Sequence, residues 1–141
     1  MDYNYLYKKG IDILIKRMHF KPTDIQLTGS LALSLYGLQP QREPHDIDVC
    51  VRQNSESLSG LKLIAEVLKT NQHSSPTNMY TFKIDDIIFN VWLENDVTTP
   101  ITDSVTGVYI DTPIHIFNTK KSYNRLKDIK DLSDIAKLIL S

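Results

Sequence analysis

Cysteine is all but missing from this 141-residue chain, where Cys50 is the only one. That excludes an internal disulfide and a multi-cysteine zinc site, and it suits a reducing compartment, so a cytoplasmic location is expected. Between Val49 and Val51, the Cys50 thiol reads as a packing group on a strand. Long apolar runs are missing as well. None approaches the roughly 18 residues of a spanning helix, and the N-terminus carries no signal-peptide pattern, so no membrane partner is expected. Neither sign of charge is in excess: 16 basic residues meet 17 acidic ones, for a net charge of -1. No global basic field draws in nucleic acid, and any such contact has to be a local patch. Internal repeats and domain boundaries are absent. What is present, 41% hydrophobic residues over 141 positions, fits one domain spanning 1–141 with a core of its own.

Tyr7, Ile11, Leu14 and Met18 recur at helical spacing with Lys8, Lys9, Lys16 and Arg17 between them, which predicts an amphipathic helix over 2–20. Gly10 weakens it by about 1 kcal/mol relative to alanine. Lys21-Pro22-Thr23-Asp24 ends it, and Ile25–Thr28 is a first strand. A second amphipathic helix is expected over 55–70. Met79–Ile84 and Ile87–Leu93 form a hairpin around Asp85-Asp86. The threonine-rich connection 94–113 holds one short strand at 108–110. From about Ile114 onward, Ile129, Leu132, Ile135 and Ile139 mark a last helix with basic residues around its start. Phe89 and Trp92 are expected in the core.

The chemistry concentrates between Leu27 and Val51. Gly29-Ser30 follows the first strand directly and opens a short helix that Gly37 stops. A serine there caps the helix, or it offers its hydroxyl and the unpaired backbone N–H groups to a phosphate; spacing alone favours the cap. After a polar turn over 39–45 comes Asp46-Ile47-Asp48 inside an apolar run. Alternation along a strand puts both carboxylates on one face and Ile47, Val49 and Val51 on the other. Two adjacent carboxylates repel each other unless a cation or solvent relieves them, so Asp46 and Asp48 are expected to ligate a divalent metal. His45 beside them reads as a surface residue.

Gly29-Ser30, Tyr36-Gly37, Arg42 and Asp46-Ile47-Asp48, in that order, resemble the signature of the DNA-polymerase-β-type nucleotidyltransferase superfamily, in particular its small bacterial and phage members: minimal nucleotidyltransferases and abortive-infection toxins. A weaker second match, Lys120 to Leu132, is similar to the Lys…Arg-x-Lys-Asp-x-x-Asp-Leu segment of many such proteins. The resemblance covers most of the chain, from Leu27 to about Ile135. It implies an α+β nucleotidyltransferase fold, with a small mixed sheet of four to five strands flanked by helices. It also implies an enzyme that moves a nucleoside monophosphate from a Mg²⁺-bound nucleoside triphosphate, with Mn²⁺ as an alternative metal, to RNA, protein or a small molecule. Gly29, Ser30, Arg42, Lys120, Arg125 and Lys127 would hold phosphates, while Asp46 and Asp48 would hold metal. For Lys120, Arg125 and Lys127 the plainer reading is a solvated basic helix face. Asp128 and Asp131 read as capping and pairing with nearby lysines, with Asp128 also a candidate for activity.

One position departs from the pattern. The family's third carboxylate belongs on the strand 87–93, and its polar residue there is Asn90. An amide lends a carbonyl oxygen but brings no charge and cannot act as a base. Asp86 and Glu94 share its strand parity and are the available substitutes. The alternative function is therefore a catalytically degenerate, nucleotide- or RNA-binding regulatory module, and one half of a toxin–antitoxin pair is a third reading. With few flanking helices, a second copy or a partner protein is expected to complete substrate binding.

Overall fold

The computed structural model describes residues 2–38, 46–52, 61, 79–94 and 101–141. Arg42, His45, the turn at 39–45, the predicted helix over 55–70 except Leu61, and the side chain of Glu94 lie outside the described residues.

Helix α1 (Tyr3–Asp12) begins where the Asp2 carboxylate accepts a hydrogen bond from the Tyr5 N–H at 2.7 Å, a side-chain N-cap. Its expected apolar stripe, Tyr7, Ile11, Leu14 and Met18, is buried. Gly10 has a packing purpose that outweighs its low propensity: a β-carbon there would lie 2.9 Å from Ile47 Cδ1, so the glycine lets α1 settle onto the sheet. The helix does not run on as α to Phe20. Ile13–Arg17 widen into a π turn, with the Met18 N–H reaching the Ile13 carbonyl at 3.0 Å, and His19 then turns the chain at φ +59°.

Strand β1 (Ile25–Thr28) leads into α2 (Gly29–Leu35), and β2 (Asp46–Arg52) follows. Strands β3 (Met79–Ile84) and β4 (Ile87–Glu94) form the expected hairpin, turning on Asp85 and Asp86 at φ +50° and +67°. Among the described residues of the 94–113 connection there are two strands of two residues each, β5 (Ile101–Thr102) and β6 (Tyr109–Ile110), where one was expected. The six strands make one mixed sheet in the order β3-β4-β2-β1-β6-β5, with β2 parallel to β4 and β6 parallel to β1. The single last helix is in fact two. Helix α3 (Pro113–Tyr123) ends at Asn124, which adopts the left-handed conformation (φ +50°), and α4 (Ile129–Leu140) follows after a 3₁₀ turn. Of the apolar positions assigned to that helix, Ile135 is fully buried, whereas Ile129 is 60% exposed.

The sheet has two unlike faces. Ile47, Val49, Val51, Phe89 and Val91 are fully buried on one, beneath α1 and α2, where the Phe82 and Phe89 rings stack 5.2 Å apart. Period-2 alternation sends Asp46, Asp48 and Cys50 of β2, with Ile88, Asn90 and Trp92 of β4, to the other face.

Candidate active site

Strand register assembles the site. Thr28 stands opposite Asp48, Asp48 opposite Asn90 and Asn90 opposite Thr81, so four polar residues form one row across four strands. Asp111, just past β6, extends the row: its N–H donates to the Leu27 carbonyl and the Thr28 hydroxyl donates to its Oδ2, both at 2.8 Å. Thr28, Asp48 and Asn90 of this row line a cleft of about 580 Å³, together with residues of α3 and the segment after it.

Asn90 lies between the two aspartates. Its Nδ2 donates to Asp48 Oδ1 at 2.8 Å and to Asp46 Oδ2 at 3.1 Å, while its Oδ1 accepts from the Thr81 hydroxyl at 2.9 Å. The amide therefore presents its NH₂ to the carboxylates, an orientation that follows from Thr81 donating to the oxygen. Burial pushes Asp48 up to about 6; the Asn90 hydrogen bond opposes that shift, Asp46 adds to it, and the charges of Lys120 and Arg125 pull it back. Gly29 is required twice over at this point. It sits at φ +68°, and a β-carbon on it would lie 2.5 Å from Asp48 Oδ2.

Ser30 reaches the cleft from the first turn of α2 but does not occupy the cap position, which is that of Thr28, whose hydroxyl goes to Asp111 instead. Lys120, expected on a solvated face, is buried. Its Nζ lies 3.4 Å from Asp131 and 3.5 Å from Asp128, joining α3 to α4 at the edge of the cleft. Arg125 Nε donates to Asp128 at 2.6 Å. Burial alone would raise the Asp128 carboxyl, but the Arg125 hydrogen bond and the Lys120 charge outweigh it and hold the group below the usual carboxylate range. Lys127 is exposed at the cleft rim. Asp86 does not replace the third carboxylate: it is 90% exposed in the hairpin turn, 3.9 Å from Lys83. Trp92 is not a core residue. It shares the Asn90 face and walls the cleft with Met79 and Ile88, and Cys50, buried as expected, belongs to that wall too.

Two residues escaped the sequence reading. Asp111 is fully buried, and both its carboxylate oxygens lie 2.7 Å from His115 Nδ1. The available signal was Asp111-Thr112-Pro113: a threonine cap followed by proline at the first helical position marks a helix start, and it puts Asp111 and His115 four residues apart across it. Thr112 does cap α3, accepting from the His115 N–H at 3.3 Å.

A divalent metal can be tested against these donors. Asp46 and Asp48 offer hard oxygen ligands on one face, burial first and the Asp46 charge second raise Asp48 in a way that a cation would relieve, and the missing Gly29 side chain makes room for Asp48. As a pair of hard oxygen donors they would fit one divalent cation such as Mg²⁺. A second, nucleophile-side metal does not fit, because Asn90 supplies no charge there. Among the described residues no three carboxylate, imidazole or thiol groups converge on one metal position.

No protein-family model and no curated protein matches the chain. Among solved structures it is similar to the crystal structure of a provisionally assigned nucleotidyltransferase from Thermotoga maritima, with a TM-score of 0.59 at 15% identity, over 97% of this chain and 96% of that one. The chain shares that protein's fold. The α+β architecture that the resemblance implied is observed, although the described residues form six strands where four to five were expected. Among the described residues no helix is long and apolar enough to cross a membrane.

Proposed function

We propose that the cleft binds a Mg²⁺-complexed nucleoside triphosphate and transfers its nucleotidyl group to an acceptor hydroxyl. The observation that carries this reading is the close approach of Gly29 to Asp48 in a cleft that Asp46 and Ser30 also line, with the charges of Lys120 and Arg125 felt at Asp48. Asp46 and Asp48 would hold the metal, which when bound neutralises phosphate charge and stabilises developing charge on the reacting oxygens. Ser30 donates to phosphate oxygens, and Gly29 lets the chain pass close to Asp48. Arg125 and Lys127 favour the anionic end of the substrate from the opposite wall. RNA, a protein side chain or a small molecule supplies the hydroxyl.

A second reading has its own observation. The Asn90 amide satisfies both aspartates and cannot take a proton, which favours a protein that binds Mg²⁺–nucleotide without turnover. One experiment addresses both. The protein is incubated with Mg²⁺ and each α-labelled nucleoside triphosphate, with bulk tRNA, protein or small acceptors. Label transfer that Asp48→Asn abolishes supports the enzyme. Calorimetric binding without transfer, even by Asn90→Asp, leaves the binding protein; no binding at all sinks both.

A further inference from the structure

The geometry points to His115, held by Asp111, as a direct contact for the phosphate tail of the nucleotide. The inference rests on the nucleotide reading above and adds to it a residue and a direction for the substrate. Asp111 is fully buried, yet its carboxylate is fully engaged: Thr28 donates to Oδ2 at 2.8 Å, the Thr112 N–H to Oδ1 at 2.9 Å, and His115 Nδ1 stands 2.7 Å from each oxygen. Its backbone is fastened as well, through its N–H to Leu27 and its carbonyl to the Tyr36 hydroxyl at 2.8 Å. A carboxylate held in this way fixes both the tautomer and the orientation of the imidazole, with Nδ1–H donating to Asp111. The polar edge left to His115 is Nε2, on the other side of the ring. The His115 side chain is 39% exposed and lines the cleft, so this edge is the one the cleft can use.

Its place in the row decides what it meets. Asp111 neighbours Thr28, and Thr28 immediately precedes Gly29-Ser30, so the imidazole stands on the Gly-Ser side of Asp48 and Asn90 on the opposite side. The charged groups around the ring are Asp111 beneath it, Asp46 and Asp48 on β2, Lys120 on its own helix, and Arg125 and Lys127 beyond. A polyanion anchored at the aspartate pair and lying along Gly29-Ser30, whose neighbour Thr28 bonds Asp111, comes to His115. A protonated ring then donates Nε2–H to a phosphate oxygen while Nδ1–H stays with Asp111. The acceptor is left the Asn90 and Trp92 side. His115 is thus a binding residue, and Asp111 is its positioning residue.

The test measures binding of Mg²⁺-complexed ATP, CTP, GTP and UTP, of the matching monophosphates, and of inorganic tripolyphosphate, to wild type and to His115→Ala and His115→Gln. Thermal unfolding serves as a check on folding. His115→Ala is expected to weaken triphosphate and tripolyphosphate by about tenfold or more and to leave monophosphates unchanged. His115→Gln, whose amide N–H reaches the Nε2 position, recovers most of the loss. Equal triphosphate affinity in His115→Ala, or an equal loss for mono- and triphosphates, overturns the proposal while the nucleotide reading stands. If wild type binds none of the nucleotides, that reading falls and this one with it.

Discussion

On one side of Asp48, toward β1 and β6, the polar row ends in a fully buried carboxylate that three side-chain and backbone donors satisfy, one of them the histidine that lines the cleft. On the other side, toward β4 and β3, it ends in a neutral amide and a threonine hydroxyl, bordered by Trp92, Met79 and Ile88. The Asp46/Asp48 pair is common to both. A charged, rigidly braced half suits the task of holding a polyanion, because its donors are in place before the ligand arrives. The neutral half keeps the two aspartates together through hydrogen bonds and contributes no charge of its own. On the proposed function, the charged half is the better equipped for binding and the neutral half the poorer for preparing a nucleophile.

The largest expected effect comes from breaking the braced half. Asp111→Ala strands the Thr28 hydroxyl, the Thr112 N–H and the His115 Nδ1–H, and should cost about 3–4 kcal/mol in chemical denaturation. Asn90→Ala, the matching change on the other side, removes an amide whose bonds to Asp46, Asp48 and Thr81 are exposed or only part-buried and should cost about 1 kcal/mol. Equal losses would mean that the two halves do not differ as described.

The shared aspartate gives the next largest effect. Folding raises Asp48 from the usual 3.8 to about 6, so over that interval the native state holds a proton that the unfolded chain has released. Stability from this group is therefore lost as pH rises from about 4 to about 6, by about 3 kcal/mol at most. Asp103 and Asp128 are shifted down and act oppositely, losing stability on acidification. The difference between wild type and Asp48→Asn isolates the Asp48 contribution: wild type should lose ground relative to the variant as pH rises through this window. Saturating Mg²⁺ should cancel the loss, and a flat difference would refute it.

How far the sequence carries such a site depends on whether the relevant neighbours are close along the chain. Asp46 and Asp48 alternate on one strand and Gly29-Ser30 follows directly on another, so local period and order were enough to find them. The α1 stripe and the Asp85-Asp86 hairpin were legible for the same reason. The face of Trp92 was also fixed by parity with Asn90, yet an aromatic residue between apolar neighbours reads as core. Lys120 looked like one of several surface cations because its partners, Asp128 and Asp131, come from the next helix. Asp111 was hidden in a connection, since what buries it is the parallel pairing of a two-residue strand with β1, and no local pattern announces so short a pairing.

Asn90→Asp would make the two halves alike. It places a third carboxylate where an amide now donates to two, so the metal-free protein should lose about 1 kcal/mol to like-charge repulsion, and Mg²⁺ affinity at neutral pH should rise about tenfold or more. Calorimetry with Mg²⁺ alone and with Mg²⁺–nucleotide reads both quantities. Label transfer should rise if the missing base limits turnover, and unchanged Mg²⁺ affinity would show that residue 90 does not face the metal position.

The smallest effect is expected from the wall itself. Trp92 is half-buried, and its sheet neighbours Cys50 and Met79 stay in place when it is removed, so Trp92→Ala should cost no more than about 1 kcal/mol of stability. It lies on the Asn90 side of Asp48, away from His115, so triphosphate affinity should not move with it. What should move is the acceptor. A half-buried indole facing the cleft beside Asn90 offers a flat apolar surface to a planar or apolar group, and on the proposed function its loss should raise the acceptor KM several-fold while leaving the nucleotide KM alone. The opposite pattern, nucleotide weakened and acceptor unaffected, would put the base of the triphosphate on Trp92 and reverse the direction of the substrate across the row.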